Sequence, residues 1–429
     1  MTDQEQADPV RLLRELTKID TGPGCLDHVA AALSTVSGVE IEHADDISLV
    51  LRIPGCGAAR PLLLHGTADI APVDGQLWRH GPFDAEPADG PVWGRRAASG
   101  KHGLAMMIAA LLRLDAQGER PAGDVVLAVV ANGKLGAKHL VDEHADLFTG
   151  IRCAIGREAD ADIRLPGAVA FHPIVVAEKR ACLVRVTIAG ADGDAALLAP
   201  SDSPMAQLGM LLTALSGARL ARRRTPVVER MLDDLAAALP DSLSAAVHRL
   251  STDHANDRVP ASLPLPQALF IDSLMRNTAN PVAIHTDRAA DRTPARVRTD
   301  IDCRLLPGCG TEAFLAELRT FTGSAQVEVL HEDPLPDNAK SEFGPFYNRL
   351  VEILTKADPD AVPLPVLTPG STEAAQYSRL GIHCYGWLPQ RLPESPEHRG
   401  LSHSADERIP ASALQFGADR MTELLRDFP

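Results

Sequence analysis

The opening segment, MTDQEQADPVRLLRELTKID, lacks a basic stretch followed by an apolar run, so no secretory leader is expected. No apolar run approaches the roughly 18 residues that span a bilayer, and no membrane partner is expected. None of the seven cysteines (Cys25, Cys56, Cys153, Cys182, Cys303, Cys309 and Cys384) forms a CxxC pair. An odd, scattered set reads as reduced thiols in a cytoplasmic protein. Positive charge is also short: 42 Lys and Arg against 57 Asp and Glu leave a formal net charge of −15. That balance argues against nucleic acid as a partner.

What is present is an ordinary globular composition, 45% hydrophobic over 429 residues. Such a length exceeds one ordinary core and predicts two domains. Helical spacing covers 9–18 and 26–36, with Asp27 placed to cap the second. Short strand-like runs at 47–53 and 61–65 precede an apolar helix at 103–117 and a Val-rich buried strand at 123–131. This alternation predicts an α/β domain with a mostly parallel sheet. After about residue 178 the pattern changes. Residues 181–189 alternate as a half-exposed antiparallel strand does, followed by a helix at 204–216 and strands at 281–287 and 296–305. A helix at 311–321 and a strand at 325–331 complete a split βαβ order, which predicts a ferredoxin-like α+β domain. A charged, Ala/Leu-rich helical segment, 226–251, interrupts it. The expected organisation is therefore a first α/β segment at 1–177, an inserted lid at 178–333, and a second α/β segment at 334–429.

Several polar stretches sit where strands end. Residues 62–72 read LLLHGTADIAP, residues 92–103 VWGRRAASGKHG, and residues 401–408 LSHSADER. In this order they resemble the zinc amidohydrolase and exopeptidase family that includes acetylornithine deacetylase, succinyl-diaminopimelate desuccinylase and bacterial glutamate carboxypeptidase. The resemblance extends over nearly the whole chain and implies an α/β catalytic-type domain carrying an inserted ferredoxin-like lid.

It also implies where a dinuclear zinc site would stand, and this chain departs from that pattern at most positions. The first motif, H-G-H-x-D-x-x-P, places Thr67 at the ligand position and keeps Asp69, the residue that orients the ligand. His65 lies two residues earlier, on the same strand face but roughly 6–7 Å deeper. In the second, G-R-G-x-x-D-x-K-G-G, the metal-bridging aspartate is Ser99, which cannot screen two divalent cations from each other. The third, D-E-E-x-G, has Gly133 in place of the general base and Lys134 in place of a ligand. At the fourth ligand position the direct register gives Arg157, and a slip of one residue gives Glu158. Asp194 replaces a lid histidine that polarises the scissile carbonyl, an anion where negative charge must develop.

Other positions match. His403 corresponds to the last metal ligand. Gly370, Ser371 and Thr372 correspond to a substrate-binding turn, Arg304 to a lid arginine that binds a carboxylate, and Asn277 to a lid asparagine that contacts substrate. With about three protein ligands needed for a catalytic zinc, neither a metal nor another cofactor is expected. The implied partner is an amino-acid- or peptide-like small molecule, with pairing of two chains through the lid.

Three readings of the chemistry remain open. The chain is an enzyme that reuses the cleft without metal, for acyl transfer, cyclisation or elimination in a biosynthetic pathway. His403 and Asp69 then move protons, while Lys134 and Arg157 bind an anion or stabilise charge, or Lys134 simply pairs with Asp69. Ser99, near Lys101 and Lys134, also admits a Ser–Lys nucleophile. Alternatively the chain is a non-catalytic binding subunit. In the third reading it is a hydrolase with rearranged ligands, drawn from Glu158, His403, His102 and Asp69.

Overall fold

The computed structural model describes all residues except 1–2, 70–71, 74, 86–89, 157–169, 195, 197–200, 202, 218–219, 253–262, 264, 288–291, 335–342 and 393–403. Its larger sheet has eight strands, in the spatial order Glu40–Asp45, Ser48–Ile53, Val125–Val130, Leu62–Thr67, Cys153–Gly156, His383–Gly386, Ala170–Glu178 and Ala361–Thr368. Four of the seven pairings are parallel and three antiparallel. The mostly parallel α/β sheet expected from the alternating pattern is thus present. Val125–Val130 is buried along its whole length, as an unbroken β-branched run in the middle of a covered sheet must be.

One face of this sheet carries the helix Lys101–Ala116, almost all of it buried between the sheet and the helices Pro9–Lys18 and Ala411–Arg426. Gly66 permits that approach, because a Cβ there would lie 2.4 Å from a Leu104 methyl. The second N-terminal helix runs over Gly22–Leu33, with Thr21 accepting from the Gly24 backbone N–H. Asp27 therefore lies inside the helix and does not cap it.

The smaller sheet orders its strands Thr278–Thr286, Arg296–Leu305, Arg180–Ala189, Gln326–Glu332, all antiparallel. Numbered along the chain the spatial order is second, third, first, fourth, which is the ferredoxin-like arrangement. Arg180–Ala189 alternates buried and half-buried residues along its length. The buried side chains Val184, Val186 and Ile188 pack with Val297, Ile301, Phe314 and Leu318 into a separate small core.

The segment 178–333, expected as one lid, is divided between the two cores. Helices Pro226–Ala238, Asp241–Thr252 and Leu265–Leu274 turn their apolar side chains away from the small core. Val228, Met231, Leu232 and Leu235 join the main one, with the first helix against the edge strand Ala361–Thr368. This covers a strand that would otherwise present an open edge. Leu232→Ala is expected to lower stability by about 2–5 kcal/mol in equilibrium urea unfolding. A change below about 0.5 kcal/mol, the range of surface substitutions, would show that the helix does not contribute to the main core.

Candidate functional site

Parallel strands aim their C-terminal ends at one edge of a sheet, and loops beyond those ends form the usual crevice for ligands. Here Thr67, Val130 and Gly156 close their strands at that edge. Thr67 does not face outward as a ligand: its hydroxyl donates to the Val130 carbonyl at 3.3 Å and accepts from the Asp69 N–H at 3.2 Å. His65 lies deeper, buried beneath Gly156, where a Cβ would stand 2.0 Å from its ring. Burial pushes the His65 pKa down to about 4, so it is a neutral core residue, packed beside Tyr377.

Asp69 forms an ion pair with Arg96, and Lys134 turns elsewhere. Arg96 occupies the third position of the Gly94–Arg95–Arg96 stretch, glycine in the resembled motif, with φ +69°. A non-glycine residue in this left-handed region costs on the order of 1–3 kcal/mol and persists only where surroundings enforce it. Glu407 supplies that enforcement. Its carboxylate accepts from the backbone N–H groups of Arg96 (3.3 Å) and Ala98 (2.9 Å), and its carbonyl accepts from Gly94 N–H (2.9 Å). Wholly buried beside Arg95 at 4.0 Å, Glu407 shapes the loop that presents the Arg96 guanidinium. Neither Arg96 nor Glu407 was expected to matter, although both lie within the quoted motifs.

Lys134 bonds to Asp333 at 2.9 Å, correcting the expectation that it pairs with Asp69. Asp333 follows the last lid strand and is 1% exposed. It also accepts from Ser371 Oγ at 2.6 Å and from the Ala181 N–H at 3.3 Å, with His331 3.4 Å away. One carboxylate thus joins the start of the helix Gly133–Glu143, the turn after strand Ala361–Thr368, and both chain crossings into the lid. Burial alone would raise the Asp333 pKa, but the donors Ser371 and Lys134 outweigh it and hold the carboxyl below its ordinary value.

The Ser–Lys reading fails on geometry. Ser99 is buried, but Lys101 points away, its Nζ donating to the Leu16 and Ile19 carbonyls at 2.7 and 2.8 Å. There it satisfies carbonyls at the end of the helix Pro9–Lys18. Neither lysine is disposed to activate the hydroxyl.

The residues expected to hold a substrate are engaged within the protein. Arg304 makes a bidentate pair with Asp302, both contacts 2.8 Å. Buried Asn277 accepts from Leu306 N–H at 2.9 Å and donates to Cys309 Sγ. Gly370 N–H donates to Thr368, Ser371 to Asp333, and Thr372 to Glu178 through its N–H (2.9 Å) and hydroxyl (2.5 Å). Burial pushes Glu178 up to about 6, against the Thr372 hydrogen bonds and with help from the nearby Glu373. Asp194 pairs in a two-residue bridge with Arg292. His403, Arg157 and Glu158 lie outside the described residues.

Residues 63–427 match the peptidase family M20/M25/M40. The chain belongs to that family. No curated protein matches it in sequence. Among solved structures it is similar to an M20 family metallo-carboxypeptidase from Sulfolobus solfataricus, at 16% identity and a TM-score of 0.71 over 97% of this chain and 98% of that one. Human carnosine dipeptidase 1 aligns at 16% identity and TM-score 0.67, over 99% and 96%. A Bacillus subtilis dinuclear metal binding peptidase of the M20 family aligns at 13% and 0.63, over 98% and 97%. At these identities the likeness establishes the shared fold of sheet domain and lid.

The described residues do not suit the dinuclear centre that the resemblance places here. Among them, no group of three or more His, Cys, Asp or Glu is arranged to hold a metal ion. The Asp69 oxygen nearest the site already faces a guanidinium, and the Lys134 side chain is a cation with no lone pair to donate. No described helix is long and apolar enough to cross a membrane.

Asp333→Asn tests the carboxylate at the lid crossings. Removing one charge from a buried pair costs about 3–5 kcal/mol, and Lys134, with its side chain 32% exposed, moves the expected loss towards about 2–3 kcal/mol. Chemical denaturation measures it, and Lys134→Met in the same background should then add little, because the pair is already broken.

Proposed function

We propose that this peptidase-family chain acts on a small amino-acid- or peptide-derived carboxylate without a dinuclear metal centre. The observation that carries this reading is the Arg96–Asp69 ion pair. It sets a permanent cation against the carboxylate that would otherwise orient a metal-binding side chain, with Thr67, Ser99, Gly133 and Lys134 at the neighbouring positions. Activated hydroxide requires a metal held by three or so donors and an open position. A cleft of this composition supports chemistry by proton transfer and charge stabilisation instead, such as acyl transfer, cyclisation or elimination, with Asp69 and His403 as the proton-transfer groups.

A second reading, a non-catalytic binding subunit, is favoured by the internal engagement of Arg304, Asn277, Ser371 and Thr372. Residues committed to internal contacts hold the shape of a cleft whether or not it turns over a substrate.

Metal analysis of protein purified without chelator should find less than about one-tenth of an equivalent of zinc, cobalt or manganese, since a functional site would bind close to one per chain. Stoichiometric metal, or turnover of a peptide abolished by EDTA and restored by zinc, would overturn the metal-free reading.

Pairing through the lid is proposed on its open edge strand, Thr278–Thr286, where Val282 and Ile284 face outward. An exposed apolar edge strand is a template for another strand. Sedimentation at tens of micromolar should show a dimer, and Ile284→Lys a monomer; a monomeric parent chain would refute it.

A further inference from the structure

The lid meets the sheet domain at more places than its two ends. Among the described residues the chain passes between the two cores four times. The first passage is 178–181 and the fourth lies at Asp333, after the last lid strand. The second runs from Leu220, in the small core, to Val227 in the main one, and the third returns from Met275 in the main core to Ala279 against the small one. The last two exist because the helices between them pack on the sheet domain.

All four passages are bonded to one another. Arg222 and Arg276 pair as an antiparallel bridge, the Arg223 N–H donates to the Met275 carbonyl at 2.7 Å, and the Arg276 guanidinium donates to the Leu220 carbonyl at 2.7 Å. These contacts tie the second passage to the third. Lys179, 1% exposed, ties the third to the first, its Nζ donating to the Arg276 carbonyl at 2.6 Å. The first is tied to the fourth by the Asp333 N–H, which donates to the Ala181 carbonyl at 2.8 Å, and by the Arg180 guanidinium, which donates to the Asp333 carbonyl at 3.4 Å. The first passage is also pinned to the sheet domain, where the Lys179 N–H donates to the Thr368 carbonyl at 3.0 Å and Glu178 accepts from Thr372.

Domains of one chain move relative to each other by default, through a few residues whose φ and ψ are free to change. Here a rotation at any one passage breaks bonds to the next. Several of those bonds are buried, where an unmade hydrogen bond carries its full desolvation cost.

We propose that the four passages form a rigid neck, which holds lid and sheet domain at one angle and keeps the cleft at one width. The neck depends only on the chain crossings, so it stands whichever chemistry the cleft performs.

Amide hydrogen exchange on the full chain, resolved to single residues, reads the neck directly, because the N–H groups of Lys179, Ala181, Arg223 and Asp333 all donate within it or beside it. Corrected for intrinsic rates, they should exchange within about 100-fold of the buried strand Val125–Val130, since regions that open locally exchange far faster than a core strand. Faster exchange in the parent chain would reveal a lid that swings and would overturn the proposal. Lys179→Met keeps the length of the side chain and removes its donors. It should speed exchange at Ala181 and Arg223 by at least about 10-fold, the scale of one hydrogen bond, and leave Val125–Val130 unchanged. Arg180→Met should do the same at Asp333, and it carries the test if the first variant does not fold. A rise shared equally by Val125–Val130 would mark a loss of global stability alone, and no rise in either variant would show that these bonds do not restrain the passages; both results overturn the neck.

Discussion

An arginine held in left-handed backbone against an aspartate at the mouth of the sheet sets the character of this cleft. Arg96, at φ +69°, pairs with Asp69, and Glu407 holds that backbone through three hydrogen bonds. A permanent cation beside Asp69 raises the cost of placing a divalent cation nearby, since like charges a few ångströms apart in a partly buried site repel. The strain is concentrated in the segment that decides the cleft's electrostatics, the usual place for strain in a functional site.

Lys134 illustrates how a substitution can change both charge and role. In the ligand position it would be a cation buried in the cleft. Its long side chain instead carries the ammonium to Asp333, where Ser371 and the Ala181 N–H complete the coordination of one buried carboxylate. The segments joined are the two crossings into the lid and two loops of the sheet domain. Cleft geometry and lid position are consequently coupled through a single side chain, and the helices Pro226–Ala238, Asp241–Thr252 and Leu265–Leu274, packed in the main core rather than the small one, add a second tie. A lid fastened at both points is better suited to a fixed binding geometry than to wide opening.

Much of the architecture was legible because burial has a period. The Val-rich run at 125–130 and the alternation over 180–189 each state which faces are covered, and the order of strands and helices states the topology. The motifs at 62–72, 92–103 and 401–408 marked the edge where the site would form. Partners were far less legible. Lys134 was paired with Asp69 on proximity in the motif pattern, but Asp333, nearly 200 residues along the chain, competes better because its carboxylate is buried among donors. Lys101 was set beside Ser99 for the same reason, and the carbonyls ending the first long helix claim it instead.

The sequence by itself determined the two-layer plan, the positions of the strand ends, and the chemical identity of the groups at the positions where the resembled family carries its metal ligands, since periodicity and residue type are local properties. Tertiary structure alone decided which cation meets which carboxylate. Those pairings depend on distances between segments remote in the chain, and on burial, which turns an unmet hydrogen bond into a free-energy cost large enough to select one arrangement over another.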